Sequence, residues 1–101
     1  MAVGFARPHL PFSAPQKYWD LYNPAELPQP FPTTAPDGAP AAAGKRGGEI
    51  ANYAPIPENG VPSADQARML IHGYYASVSY MDAQAGRILD ELDNPSTHRQ
   101  R

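Results

Sequence analysis

Arg7-Pro8-His9-Leu10-Pro11-Phe12 is the stretch of this 101-residue chain whose residue types and spacing could do chemistry. Each proline locks its own φ and pushes the residue before it toward an extended backbone. Prolines on both sides of His9 therefore hold the imidazole in a defined direction, with little freedom left to lose. Imidazole is the side chain best suited to giving or taking a proton near neutral pH. Arg7 adds a permanent positive charge beside it, suited to an anionic oxygen. The same six residues also suit a structural role, a histidine hydrogen-bonded within a proline-rich loop.

Other chemical motifs fail on inspection. Gly38 and Gly44-Lys45 imitate a phosphate loop, but the gap is one residue too long, and Arg46 stands where a hydroxyl should hold magnesium. No His-Glu-x-x-His, Gly-x-Ser-x-Gly or Asp-x-Asp pattern occurs. His9, His72 and His98 are far apart in sequence, so no metal ligand is assigned. The absence of cysteine excludes disulfides and thiolate zinc sites. A net charge of -2 and a pI near 5.8 leave no basic field for nucleic acid or an anionic membrane. Lys45-Arg46 and the closing His98-Arg99-Gln100-Arg101 are too short to act as a polybasic tract. No apolar run approaches the ~20 residues of a membrane span. The apolar start, Met1 to Ala6, is too short for a signal peptide, and Arg7 places its charge on the wrong side.

The elements that must position His9 follow from proline placement. Twelve of the thirteen prolines precede Ser63, so only the later part of the chain can form a long regular element. Ala2-Val3-Gly4-Phe5 is predicted to be the tail of a buried strand, stopped by Pro8 and Pro11, with the histidine loop completing residues 1–12. Residues 15–22 suit a short helix, with Ser13 or Ala14 before it and Pro15 in its first turn. Tyr18, Trp19, Leu21 and Tyr22 would then share most of one face, and Asn23-Pro24 would end it. From 24 to 62 the chain is predicted to be extended and irregular, with polyproline-like pieces around Pro28, Pro30 and Pro32. Such a stretch suits a path across a larger body better than a loop of a small free-standing domain.

Residues 63–93 form the strongest predicted element, about 46 Å of helix at 1.5 Å per residue. Ser63 and Gln66 match a capping box, and Asp65 lies in the first turn, where the helix dipole favours negative charge. Ala67, Leu70, Ile71, Tyr74, Val78, Met81, Ala85, Ile88, Leu89 and Leu92 recur at steps of three and four as an apolar stripe, and Asn94-Pro95 closes the helix. The rest of the chain holds too little apolar surface to cover that stripe, so most of its partner is expected elsewhere. Tyr80, Asp82 and His72 read as packing or hydrogen-bonding residues, and Arg87 with Asp90 and Glu91 as surface pairing.

Two blocks resemble the sulfatase family. Val3-Gly4-Phe5-Ala6-Arg7-Pro8-His9-Leu10-Pro11-Phe12 is similar to a segment in which a strand ends in Gly-x-x-Lys-Pro-His-x-Pro-Phe. The run from Tyr75 to Leu89 is similar to Tyr-x-Ala-x-x-x-x-x-Asp-x-x-x-Gly-x-(Ile/Leu)-Leu. Together they cover under a third of the chain, and the proline-rich segment between them fits as well. The subgroup resembled is the iduronate-2-sulfatase-like and related bacterial sulfatases.

The resemblance implies an α/β architecture: a piece, residues 1–101, of an alkaline-phosphatase-like sulfatase domain. It comprises a strand end and histidine loop (1–12), a short helix with a proline-rich segment (13–62), a long helix (63–93) and a non-matching tail (94–101). The intact family enzyme hydrolyses sulfate esters with a calcium ion and a formylglycine made from cysteine or serine. Its substrate is a sulfated small molecule or carbohydrate, and its bacterial members are expected in the periplasm or outside the cell. By residue match, His9 takes the role of general acid and sulfate-contacting donor, both catalytic and substrate-binding. Arg7 replaces the family's lysine. Ser13-Ala14-Pro15-Gln16-Lys17 imitates the nucleophile motif but lacks its arginine and follows the histidine, so Ser13 is rejected as nucleophile. With no calcium ligand or formylglycine precursor assigned, the chain is expected to be inactive alone, its partner being the remainder of a sulfatase domain. A phosphodiesterase or phosphonate hydrolase of the same superfamily, or a non-catalytic proline-rich and amphipathic binding segment, are the alternatives.

Overall fold

Ser63 and Gln66 satisfy each other's main chains: Ser63 N–H donates to Gln66 Oε1 at 2.9 Å, and Gln66 N–H donates to Ser63 Oγ at 3.2 Å. This is the predicted capping box, and it removes orphan donors at the start of a long helix. In the computed structural model, which describes residues 1–30, 34–44 and 48–94, that helix is α2, Ala64–Asp93. Asn94 N–H closes it on Glu91 O at 3.3 Å. The predicted stop at Pro95 lies outside the described residues, as do the tail with His98, the Lys45-Arg46 pair and Pro32.

The chain divides into two compact units. The first unites Met1–Tyr22 with Gly73–Arg101; the second is Asn23–His72. Within the first, α1 spans Gln16–Trp19. It is shorter than the sequence suggests: Pro15 sits at its N-cap position rather than inside, and Asp20 caps its end. Because the helix stops at Trp19, Leu21 does not join the aromatic face and is 64% exposed. Tyr22 is brought round by a turn, its N–H on Trp19 O at 3.2 Å.

The predicted strand end is corrected. Among the described residues there is no strand, and Val3 and Phe5 are exposed. A strand exists only through ladder bonds to a neighbour, and no described segment offers residues 2–5 such an edge. The α/β class is therefore not visible in this structure, whose regular elements are helical.

In the second unit, residues 24–62 are largely irregular but not wholly so. Two 3-10 turns, Ala41–Gly44 and Glu49–Asn52, interrupt the segment predicted to be extended and irregular. Gly48, at φ 82, stands before the second turn in a backbone region that side chains disfavour. The Tyr53 hydroxyl donates to Glu49 Oε1 at 3.2 Å, and Gln66 Nε2 donates to Pro55 O at 2.8 Å, tying the irregular chain to the start of α2.

The two sides of α2 differ. Its fully buried residues are Gly73, Ala76 and Ser77, all small. Tyr18 stacks on Tyr80 at 5.2 Å, Tyr22 meets Tyr75 at 5.3 Å, and the Tyr22 hydroxyl is hydrogen-bonded to Ser79 Oγ. Such ring pairs each contribute about 0.5–1.5 kcal/mol beyond area burial. None of the ten stripe residues is fully buried, and Leu89 is 60% exposed. At 3.6 residues per turn, Ala76, Ser79 and Tyr80 lie roughly opposite Val78, Ala85 and Leu92. The N-terminal residues thus dock mainly on the small-residue side and leave much of the aliphatic side uncovered.

Gly73 makes that docking possible. A Cβ there would lie 2.9 Å from Phe12 Cβ and 3.0 Å from the Trp19 ring, whereas at Gly86 nothing lies within 4 Å. Both substitutions to alanine gain about 1 kcal/mol of helix propensity, but overpacking costs about 1–3 kcal/mol. Gly86→Ala is expected to raise the stability of α2, measured by thermal unfolding in circular dichroism. Gly73→Ala is expected to keep the helix and lose the near-ultraviolet signal of a packed Trp19. A second expectation concerns Ser77, whose buried Oγ has no hydrogen-bond partner among the described residues. Ser77→Ala removes an unpaired hydroxyl at nearly constant volume and should stabilise by about 1 kcal/mol in the same melt.

Candidate functional site

The loop bearing His9 is closed by its own residues. His9 N–H donates to Ala6 O at 2.9 Å, and Ser13 N–H donates to Pro11 O at 2.9 Å. Arg7 spans the loop: Nε donates to Ser13 O at 3.0 Å, and Nη2 donates to the Ser13 hydroxyl. The Arg7-Pro8 and Leu10-Pro11 bonds are both cis. The predicted rigidity around His9 thus comes from main-chain turns and a side-chain bridge as well as from the prolines.

His9 Nδ1 lies 2.8 Å from Leu10 O. A carbonyl oxygen can only accept, so this contact requires the proton on Nδ1 and directs the proton-exchanging chemistry of the ring to Nε2. The imidazole is exposed.

At its far end the loop is anchored to α2. Phe12 packs edge-on against Tyr74, with centroids 5.5 Å apart and planes at 89°. Its Cβ lies over Gly73 beside the Trp19 ring. Trp19 Nε1 donates to Ala14 O at 3.2 Å, so the same tryptophan that fills the space over Gly73 also holds the chain leaving the loop. At the near end, Gly4, Phe5, Ala6 and Arg7 line a shallow depression with Tyr80, Met81 and Gln84.

Of the residues singled out in the sequence, Arg7 and His9 fall in one loop. His72 lies half-buried in the second unit, and His98 is outside the described residues. Tyr80 packs on Tyr18 as a structural residue, Asp82 is exposed, and Arg87 donates to Gln84 Oε1 at 3.2 Å. Ser13, whose two oxygens are the acceptors for Arg7, has a role in the loop that the sequence does not single out. The sequence signal for this was the spacing alone: a long cation six residues before a serine.

Over most of its length the chain is similar to known sulfatases. It is 33% identical over 106 residues to iduronate 2-sulfatase of Homo sapiens, an alignment covering 93% of this chain and 18% of that protein. It is 36% identical over 102 residues to a sulfatase of Formosa agariphila, with the same 93% and 18% coverage. The chain belongs to the sulfatase family. A choline-sulfatase of Rhizobium meliloti is 28% identical over 92 residues, covering 91% of this chain and 17% of that protein. This sulfatase sequence therefore spans about 18% of the length of the first two relatives. No protein-family model and no solved structure matches it.

Among the described residues no three His, Cys, Asp or Glu side chains gather as a metal site. The sequence has no cysteine, and the Ser13 hydroxyl is engaged by Arg7.

Phe12 is the anchor on which the loop geometry should depend. Truncating a half-buried phenylalanine costs roughly 2 kcal/mol, below the 3–5 of a fully buried one. Phe12→Ala is expected to erase the nuclear Overhauser contacts between the loop and Tyr74 while α2 keeps its helical circular dichroism.

Proposed function

We propose that this sulfatase segment carries the histidine of a sulfate-ester hydrolase, with His9 as general acid and sulfate-contacting donor. The observation that carries the reading is the oriented imidazole. With Nδ1–H on the Leu10 carbonyl, the proton available for transfer is the one on Nε2 of the imidazolium. As the sulfur–oxygen ester bond breaks, its electron pair stays on the alcohol oxygen. The Nε2 proton passes to that oxygen, and the alcohol departs neutral. The relatives named as sulfatases support the reaction class. A sulfated carbohydrate or other sulfated small molecule is the proposed substrate.

Alone, the chain is proposed to be inactive, because one acid catalyst without an activated nucleophile leaves the sulfur unattacked. The proposed partner is the remainder of a sulfatase domain, which the exposed Leu89 and Leu92 of the aliphatic side favour. The same exposed residues favour, as a second reading, a binding segment that docks α2 into a groove.

Two measurements test these statements. With calcium present, the chain is expected to show no turnover of a chromogenic aryl sulfate above its His9→Ala variant; turnover lost with His9 would refute inactivity alone. Titration with the same ester, followed by imidazole resonances, is expected to move His9 and leave His72 in place. If an aryl phosphate moves His9 more strongly at equal concentration, phosphate-ester chemistry is favoured. No movement with either ester removes His9 from substrate contact.

A further inference from the structure

We propose that Arg7 is a positioning residue that sets the tautomer of His9. Its guanidinium, by bridging to both oxygens of Ser13, keeps the loop in the shape that holds His9 Nδ1–H on the Leu10 carbonyl. The inference rests on reading His9 as the proton-transferring group, and it gives Arg7 a role other than meeting an anionic oxygen directly.

The geometry is specific. Arg7 uses two different nitrogens, Nε for the Ser13 carbonyl and Nη2 for the Ser13 hydroxyl. A guanidinium presents such donors as a rigid planar fork; an ammonium is a compact point charge on a flexible stem. The bridge joins residues 7 and 13, so His9 and its acceptor Leu10 O both lie inside the closed ring. Closing a ring this short removes conformations that would swing the Leu10 carbonyl away from the imidazole. Phe12 fixes the end of the ring on Gly73 and Tyr74, and residues 4–7 lie beside Tyr80 and Met81. With both ends seated on α2, breaking the bridge should change the loop interior more than the helix contacts.

The consequence concerns which nitrogen reaches substrate. An unconstrained neutral histidine in water favours the proton on Nε2. Holding it on Nδ1 reverses that preference, so that Nε2 exchanges the proton with a reacting oxygen.

The test is nitrogen-15 spectroscopy of the His9 ring in the 101-residue chain, without substrate, above the pH at which the ring loses its extra proton. The wild-type chain is expected to show Nδ1 as the protonated nitrogen. Arg7→Gln is expected to lose that form in favour of an exchanging mixture richer in Nε2–H. Arg7→Lys, which keeps the charge but not the fork, should not restore it. Ser13→Ala, which deletes the hydroxyl arm, should shift the balance part-way, and Ser13→Thr should restore it. A wild-type ring protonated on Nε2 overturns the proposal; so does Arg7→Gln with an unchanged ring, or full rescue by lysine. If Arg7→Gln loses the helical circular dichroism of α2, the Ser13→Ala and Ser13→Thr pair decides: equal spectra in both overturn it, and loss with rescue supports it. The readout needs no turnover. A failed ester titration with the expected tautomer therefore sinks the catalytic reading and leaves the role of Arg7 standing.

Discussion

The close approach of Phe12 and Trp19 to Gly73 is the contact on which the first unit depends. A helix that buries only small residues can still hold a partner firmly when large side chains come down onto it. Here the missing Cβ lets an aromatic side chain and an indole share one short stretch of α2. The tryptophan then holds the chain at Ala14, and the phenylalanine meets Tyr74 edge-on. The tyrosine contacts at Tyr75, Ser79 and Tyr80 extend this seam along the helix. Each ring pair adds oriented contact worth about 0.5–1.5 kcal/mol to its apolar burial.

The histidine loop inherits its definition from that seam. Its main-chain turns and the Arg7–Ser13 bridge are local, but on their own they would close a loop with no fixed direction. Phe12 ties the loop to a rigid helix, and a site borne by a regular element is held more precisely than one borne by loops alone. The Arg7 cation is directed at two uncharged oxygens of its own loop, which adds a local closure to that anchorage.

The uncovered side of α2 is of a different kind. Its aliphatic residues recur over the whole helix, yet none is fully buried, and Leu89 and Leu92 are exposed. A helix of 30 residues gains most of its stability by packing such a stripe. The chain's family relatives are much longer, this sequence spanning 18% of iduronate 2-sulfatase. The stripe and the docking surface overlap only in part: Tyr74 meets Phe12 and Met81 lies beside residues 4–7, whereas Leu89 and Leu92 stay exposed. The small-residue side serves neighbours in this sequence, and the aliphatic side has the character of a domain interior.

Much of this was legible in the residues. The capping box at Ser63 and Gln66 and the period of the stripe marked α2 almost to the residue, because capping and periodicity are local properties of a helix. The Pro-His-x-Pro pattern likewise pointed to the family. The tertiary structure decided the rest. It seated Phe12 and Trp19 over Gly73, since close approach depends on which side chains are absent rather than which are apolar. It left Ala2 to Phe5 without strand pairing, since a ladder needs a second edge. And it turned Arg7 onto Ser13, because a long side chain takes whichever acceptors the folded loop brings within reach.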